Sequence, residues 1–151
     1  SMSITVYAPV SGTVAALTTV PDPVFSAGIV GPGWAVDPFP GDLTVLSPCT
    51  GVVKKATPHA YIIVTPGGHD VLVHLGVDTV KLKGQGFLPL VGDGREVSAG
   101  QPIAVWNTSV AQKAELSICT PVVCMGNMLA TRLSLQAEAK IEAGKPLFTI
   151  D

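Results

Sequence analysis

Residues 57–84 read TPHAYIIVTPGGHDVLVHLGVDTVKLKG, and they hold all three histidines of the chain. Two alternating runs rich in Val and Ile, AYIIVT and HDVLVHL, flank Gly67-Gly68. Period-two alternation of β-branched and polar residues is the pattern of a half-buried strand. A Gly-Gly pair between two such runs signals a hairpin, because glycine adopts the positive φ angles of a tight turn. With the turn centred on that pair, Tyr61 is expected to face His74, Ile63 to face Leu72 and His59 to face Gly76. His59 and His74 then become diagonal neighbours on one face, with β-carbons roughly 5–8 Å apart and imidazoles converging on one point. Everything turns on parity: a slip of one residue pairs His59 with Leu75 and sends the rings to opposite faces.

The rest of the chain is built from similar pieces. ITVYAPVSGTVAAL and LTVLSPCTGVVKKA share the pattern Pro-x-Ser/Thr-Gly followed by a Val-rich strand. GREVSAGQPIAVW and AKIEAGKPLFTI share a second pattern, Ala-Gly-x-Pro followed by an apolar strand. Two motifs, each present twice without a fixed period, indicate an internally duplicated β architecture rather than a solenoid. Helix signals are few. NTSVAQKAELS is expected to form a short helix capped by Asn107 or Thr108, and GNMLATRLS is a second short candidate. The fold class expected is all-β, an antiparallel sandwich or barrel with internal duplication and short helical insertions.

Composition fits one domain spanning residues 1–151. Hydrophobic residues make up 47% and charged residues 13%, which excludes a disordered chain. A net charge of −2 excludes the basic footprint of a nucleic-acid binder. No apolar run reaches the ~20 residues of a membrane span, and the N-terminus lacks the pattern of a secretory signal. A cytoplasmic setting without direct membrane insertion is expected, and Ser1 before Met2 reads as an expression scar. Cys49, Cys119 and Cys124 form an odd set without a second ligand pair, so they are expected to be reduced, partly buried thiols.

Two convergent imidazoles narrow the chemistry. No Ser or Cys stands beside them with an orienting third group, as an acyl-transfer triad requires. A zinc centre wants at least a third protein ligand, and neither His69 nor Asp78 has helpful spacing. Phosphoryl transfer to an imidazole nitrogen needs less. The acceptor must be neutral, with one nitrogen pinned and the other holding a free lone pair. A second donor should hold the phosphoryl oxygens. Like charges a few ångströms apart disfavour double protonation, which keeps one ring nucleophilic. Thr57 is expected to orient His59 through its hydroxyl, and Gly76 to leave room beside that ring. His69, at the turn, is expected to be an exposed loop residue.

TPHAYIIV and VLVHLGVDTVKLKGQGF, together with PVSGTVAALTTVPDPVFSAGIVGPGWAVDP and ICTPVV, resemble the glucose-type enzyme IIA of the bacterial sugar phosphotransferase system over nearly the whole chain. The resemblance implies that His74 accepts a phosphoryl group from HPr and passes it to a cysteine on the IIB domain of a sugar permease. It implies that His59 stabilises that group, that Thr57 hydrogen-bonds to His59, and that the Gly76 carbonyl fixes the tautomer of His74. Asp22 and Asp78 would meet basic residues of HPr, and Val24, Phe25, Leu72 and Val80 would form an apolar collar around the site. Regulatory targets are implied as well, although Lys55 and Lys81 replace an aromatic and an acidic residue of the best-known member. No cofactor is implied. A zinc ion at His59 and His74, adventitious or completed by a partner, would be incidental to the transfer.

Two readings of other classes compete. A lysostaphin-like zinc peptidase has a duplicated sandwich, but it needs a His-x-His late in the chain, and none occurs. A non-catalytic carrier or regulatory binding module of the biotinyl type would present a Lys at a hairpin tip, where this chain has Gly67-Gly68.

Overall fold

The computed structural model describes residues 3–126, 131–133 and 137–150, with backbone alone for 131–133. An eight-stranded sheet runs through the molecule. Its spatial order begins β13 (Lys140–Ile141), β2 (Gly12–Ala15), β3 (Gly33–Pro38) and β11 (Thr120–Cys124). It continues with β7 (Asp70–His74), β6 (Ala60–Val64), β5 (Gly51–Thr57) and β9 (Glu96–Val97). Two three-stranded sheets complete the architecture. One orders β1 (Ile4–Tyr7), β14 (Pro146–Ile150) and β12 (Thr131–Leu133). The other orders β4 (Asp42–Leu46), β10 (Pro102–Asn107) and β8 (Phe87–Pro89). All pairings among the described residues are antiparallel. The expected antiparallel β-sandwich with short helices is the fold found.

The duplicated motifs acquire a physical meaning in this topology. Each Pro-x-Ser/Thr-Gly turn carries the chain out of a small sheet and into the large one, from β1 to β2 and from β4 to β5. Each Ala-Gly-x-Pro turn carries it back, from β9 to β10 and from β13 to β14. The two kinds of turn are hydrogen-bonded to each other. Ser11 Oγ accepts the Ala143 N–H at 2.9 Å, and Thr50 Oγ1 accepts the Ala99 N–H at 3.0 Å. The two Pro-containing turns also bond reciprocally, Tyr7 N–H to Pro48 O at 2.8 Å and Leu46 N–H to Pro9 O at 2.9 Å. Glycine closes both motifs because a Cβ on Gly12 or Gly51 would stand 2.1 or 2.0 Å from a carbonyl of the next strand. The halves are therefore related by exchange of β13 with β9, β2 with β5, β3 with β6, and β11 with β7.

The main core fills the space between the large sheet and the two small ones. Tyr61, Ile63, Val71, Val73, Val122 and Val36 point into it from the large sheet. Val6, Phe148, Ile150, Val45, Ile103 and Trp106 meet them from the small sheets. The opposite face of the large sheet carries a second cluster, in which Ala35, Leu72 and Val123 pack against Val20, Phe25, Val77 and Cys119. All three cysteines are buried, and none is in a disulfide. Burial pushes the Cys49 thiol up to about 12 and that of Cys119 to about 11, so both behave as small hydrophobes.

The hairpin exists, but its register differs by one residue from the expected one. Ala60 pairs with His74, Tyr61 with Val73 and Ile62 with Leu72. The loop is Pro66-Gly67-Gly68 rather than the glycine pair alone: Thr65 N–H bonds His69 O at 2.9 Å, and Gly68 takes φ +85°. A three-residue loop ending in a left-handed glycine is a common hairpin solution that a Gly-Gly pair permits equally well. Among the helices, α2 (Thr108–Lys113) forms where expected, and Asn107 Oδ1 caps it by accepting the Ser109 N–H at 3.1 Å. In the second candidate, GNMLATRLS, Thr131–Leu133 are the strand β12 instead, paired with β14. Met125 and Gly126 precede it in the chain, and residues 127–130 and 134 of that segment lie outside the described residues. No helix among the described residues is long and apolar enough to cross a membrane.

Candidate functional site

By strand parity alone this register should separate the two rings, since Leu75 N–H bonds the carbonyl of His59 at 2.7 Å and the two residues lie opposite each other. The rings nevertheless meet. Their centroids are 5.1 Å apart with planes at 73°. His59 escapes the alternation because it is not in a strand: Pro58-His59 form the tight turn between β5 and β6, across which Thr57 pairs with Ala60. Its direction is set by turn geometry, whereas His74 points from the end of β7 by ordinary alternation, on the face shared with Ala60.

Thr57 shapes the site differently from the expectation. Its hydroxyl lies 3.1 Å from both the N and the O of Ala60, and closes the turn that carries His59 rather than bonding the ring. Gly76 also has another role than leaving space opposite His59, a position that belongs to Leu75. Its carbonyl lies 2.6 Å from His74 Nδ1. A carbonyl can only accept, so Nδ1 carries the proton and Nε2 keeps a lone pair in the neutral ring. Gly76 has φ +83°, and a Cβ there would stand 2.5 Å from Thr79 Cγ2 and 2.8 Å from Ser117 O. Only glycine fits both the conformation and the space.

The two rings are held neutral. Burial lowers the His74 pKa from its ordinary value, and the Gly76 carbonyl and the carboxylates of Asp22 and Asp78 pull it back up in part. Burial lowers that of His59 as well, and the neighbouring His74 adds to the effect. Both carboxylates thus lie within electrostatic reach of His74. Asp22 does structural work too: it caps α1 (Pro23–Ser26) by accepting the Val24 N–H at 3.0 Å, with Pro23 opening the helix. The Asp22-Pro23 pair was a legible helix start that the strand-dominated reading passed over. That helix lays the Phe25 ring edge-on to His74, with centroids 5.5 Å apart. Asp78 is exposed at φ 59°, just before the short 3-10 helix Thr79–Leu82.

The four residues expected to form an apolar collar divide by exposure. Val24 is 46% exposed and Val80 60%, so both leave apolar surface open to solvent. Phe25 and Leu72, at 5% and 7%, have little surface to give a partner. His69 stands apart, half-buried at the hairpin loop with its N–H on Thr65 Oγ1. Sequence reasoning missed Thr79, a fully buried threonine whose Oγ1 donates to Leu75 O at 2.6 Å. Nothing in its spacing announced it. Among the described residues no three His, Cys, Asp or Glu side chains gather as a metal site. The arrangement offers an imidazole whose Nε2 lone pair is left free and a second ring with its centroid 5.1 Å away.

The family profile of the phosphoenolpyruvate-dependent sugar phosphotransferase system, EIIA 1, matches residues 4–128. The N-acetylglucosamine-specific EIICBA component of that system from Escherichia coli (strain K12) is 41% identical over 145 residues. The match covers 94% of this chain and 22% of that protein, so the chain spans about a fifth of the relative's length. The glucose-specific EIIA component from Halalkalibacterium halodurans is 34% identical over 142 residues, covering 93% of this chain and 81% of the relative. The solved structure of glucose permease IIA from Mycoplasma capricolum superposes with a TM-score of 0.87 at 32% identity, over 99% of this chain and 96% of that one.

Proposed function

The chain belongs to the EIIA type 1 family of the phosphoenolpyruvate-dependent sugar phosphotransferase system, and from that premise we propose how its two histidines carry the relay. His74 accepts the phosphoryl group on Nε2 from the phosphohistidine of HPr. The N–P bond to the donor breaks as the new one forms, and the donor imidazole leaves with the electron pair. Positive charge that builds on the His74 ring is taken up at Nδ1–H by the Gly76 carbonyl. His59 donates to the phosphoryl oxygens. In the second step a thiolate on a IIB domain attacks phosphorus, an S–P bond forms, and the His74 Nε2 lone pair returns.

The observation that carries this reading is the 2.6 Å contact between His74 Nδ1 and Gly76 O, because it leaves Nε2 as the free nucleophile. Asp22 and Asp78 lie beside the acceptor and offer negative charge to a basic HPr surface, while Val24 and Val80 exclude water from a labile N–P bond. The IIB partner belongs to a permease of the glucose or N-acetylglucosamine class, for which the relatives above are named, and the relay runs in the cytoplasm. The test is incubation with phosphoenolpyruvate, enzyme I and HPr, followed by mass mapping. An acid-labile phosphate on His74 is expected; a phosphate mapped elsewhere, or none, overturns the assignment.

A further inference from the structure

The Gly76 carbonyl can select the His74 tautomer only if its own peptide is held still, and the structure shows what holds it. Leu75-Gly76-Val77 is a turn with a left-handed glycine at its centre. It is tied on both sides. Val77 N–H bonds Ser117 O at 3.0 Å, and Leu75 O accepts the Thr79 hydroxyl at 2.6 Å. Leu75 is also the residue whose N–H bonds the His59 carbonyl at 2.7 Å. One residue therefore links both histidines through the backbone, and the Thr79 side chain fastens it.

Thr79 has the properties this role requires. It is fully buried, where an isosteric Val would pack as well without a hydroxyl to satisfy, so the hydroxyl's contribution is its bond to Leu75 O. Its methyl group walls the Gly76 peptide from the other side, 2.5 Å from where a Cβ on that glycine would stand. We propose that Thr79 is a positioning residue for the relay: its hydroxyl fixes Leu75, and through it the Gly76 carbonyl that selects the His74 tautomer and the backbone that places His59. The proposal deepens the phosphoryl-acceptor reading of His74 and rests on it.

Thr79→Val removes the hydroxyl and keeps the shape; Thr79→Ser keeps the hydroxyl and removes the methyl group. Nitrogen-15 NMR of the imidazoles reads the tautomer of His74 directly, without any transfer partner. Thr79→Val is expected to mix the two tautomers and to slow acceptance from phospho-HPr roughly two- to tenfold, the effect of one hydrogen bond. Thr79→Ser is expected to keep the wild-type tautomer. A folded Thr79→Val with wild-type tautomer and rate overturns the proposal. So does a folded Thr79→Ser in which the tautomers mix, an outcome that stays decisive if Thr79→Val does not fold. Failure of the wild-type chain to label on His74 would instead remove the acceptor reading, and the NMR comparison would still decide whether Thr79 governs the ring.

Discussion

Adding one methyl group at Gly76 should damage both the fold and the relay, and the structure separates the two contributions. In Gly76→Ala the backbone must hold φ +83° with a side chain, which costs about 1–2 kcal/mol. The new Cβ would also stand 2.5 Å from Thr79 Cγ2 and 2.8 Å from Ser117 O, the second of these a backbone atom. Relieving such overlap in a packed site adds about 1–3 kcal/mol, for a total of roughly 2–5 kcal/mol. Gly68→Ala supplies the control. Gly68 has nearly the same φ, +85°, but its Cβ would meet nothing within 4 Å, so it should lose only the conformational part, about 1–2 kcal/mol. Urea unfolding of both variants measures the difference, and a phospho-HPr labelling assay measures function. We expect Gly76→Ala to be the less stable variant and to accept phosphate poorly, because relief of the overlap must move the carbonyl bonded to His74. Gly68→Ala should label normally. If Gly76→Ala is no less stable than Gly68→Ala and labels at the wild-type rate, the steric and tautomer reasoning is wrong.

Other predictions concern the charged and ionisable groups. His74→Ala should abolish labelling from phospho-HPr, whereas His59→Gln should permit labelling and block transfer to IIB; wild-type sugar phosphorylation by His59→Gln would contradict that division. Asp78→Ala should weaken HPr binding by a few-fold, as calorimetry at low salt can check; unchanged affinity would remove Asp78 from the docking surface. Both histidines have lowered native pKa values, so the unfolded chain binds more protons than the native one below the ordinary value of 6.5. Their contribution to stability is therefore complete above 6.5 and falls as the pH drops from there toward the native values. Denaturation across that window should show stability rising with pH, with a shallower slope in a His59→Gln, His74→Gln double variant.

The functional face was partly readable from composition and spacing, and partly not. The Asn107 cap and the existence of the hairpin depend on neighbouring residues only, and both appear as expected. Register depends on the loop's hydrogen bonding, and Gly67-Gly68 is compatible with more than one loop. The one-residue error would have separated the imidazoles had His59 been in a strand. It sits in a turn, so they converge for a reason different from the one foreseen. The Thr57 hydroxyl was likewise assigned to the wrong acceptor, since proximity in sequence does not distinguish the His59 ring from the Ala60 backbone.

What the linear order of residues determined by itself is the duplication. Pro-x-Ser/Thr-Gly and Ala-Gly-x-Pro each recur because their glycines and hydroxyls meet local backbone constraints that must be satisfied once per half. Only the tertiary structure decided how the half that holds the histidines brings two of their rings together. Leu75 N–H bonds the His59 carbonyl, and in the other half Cys124 N–H bonds the Pro32 carbonyl at 2.9 Å in the matching place. Pro32 and Val123 thus occupy the positions of His59 and His74. A relay site requires two imidazoles, a carbonyl and buried apolar walls at one point, and those groups come from separate segments that only long-range packing assembles.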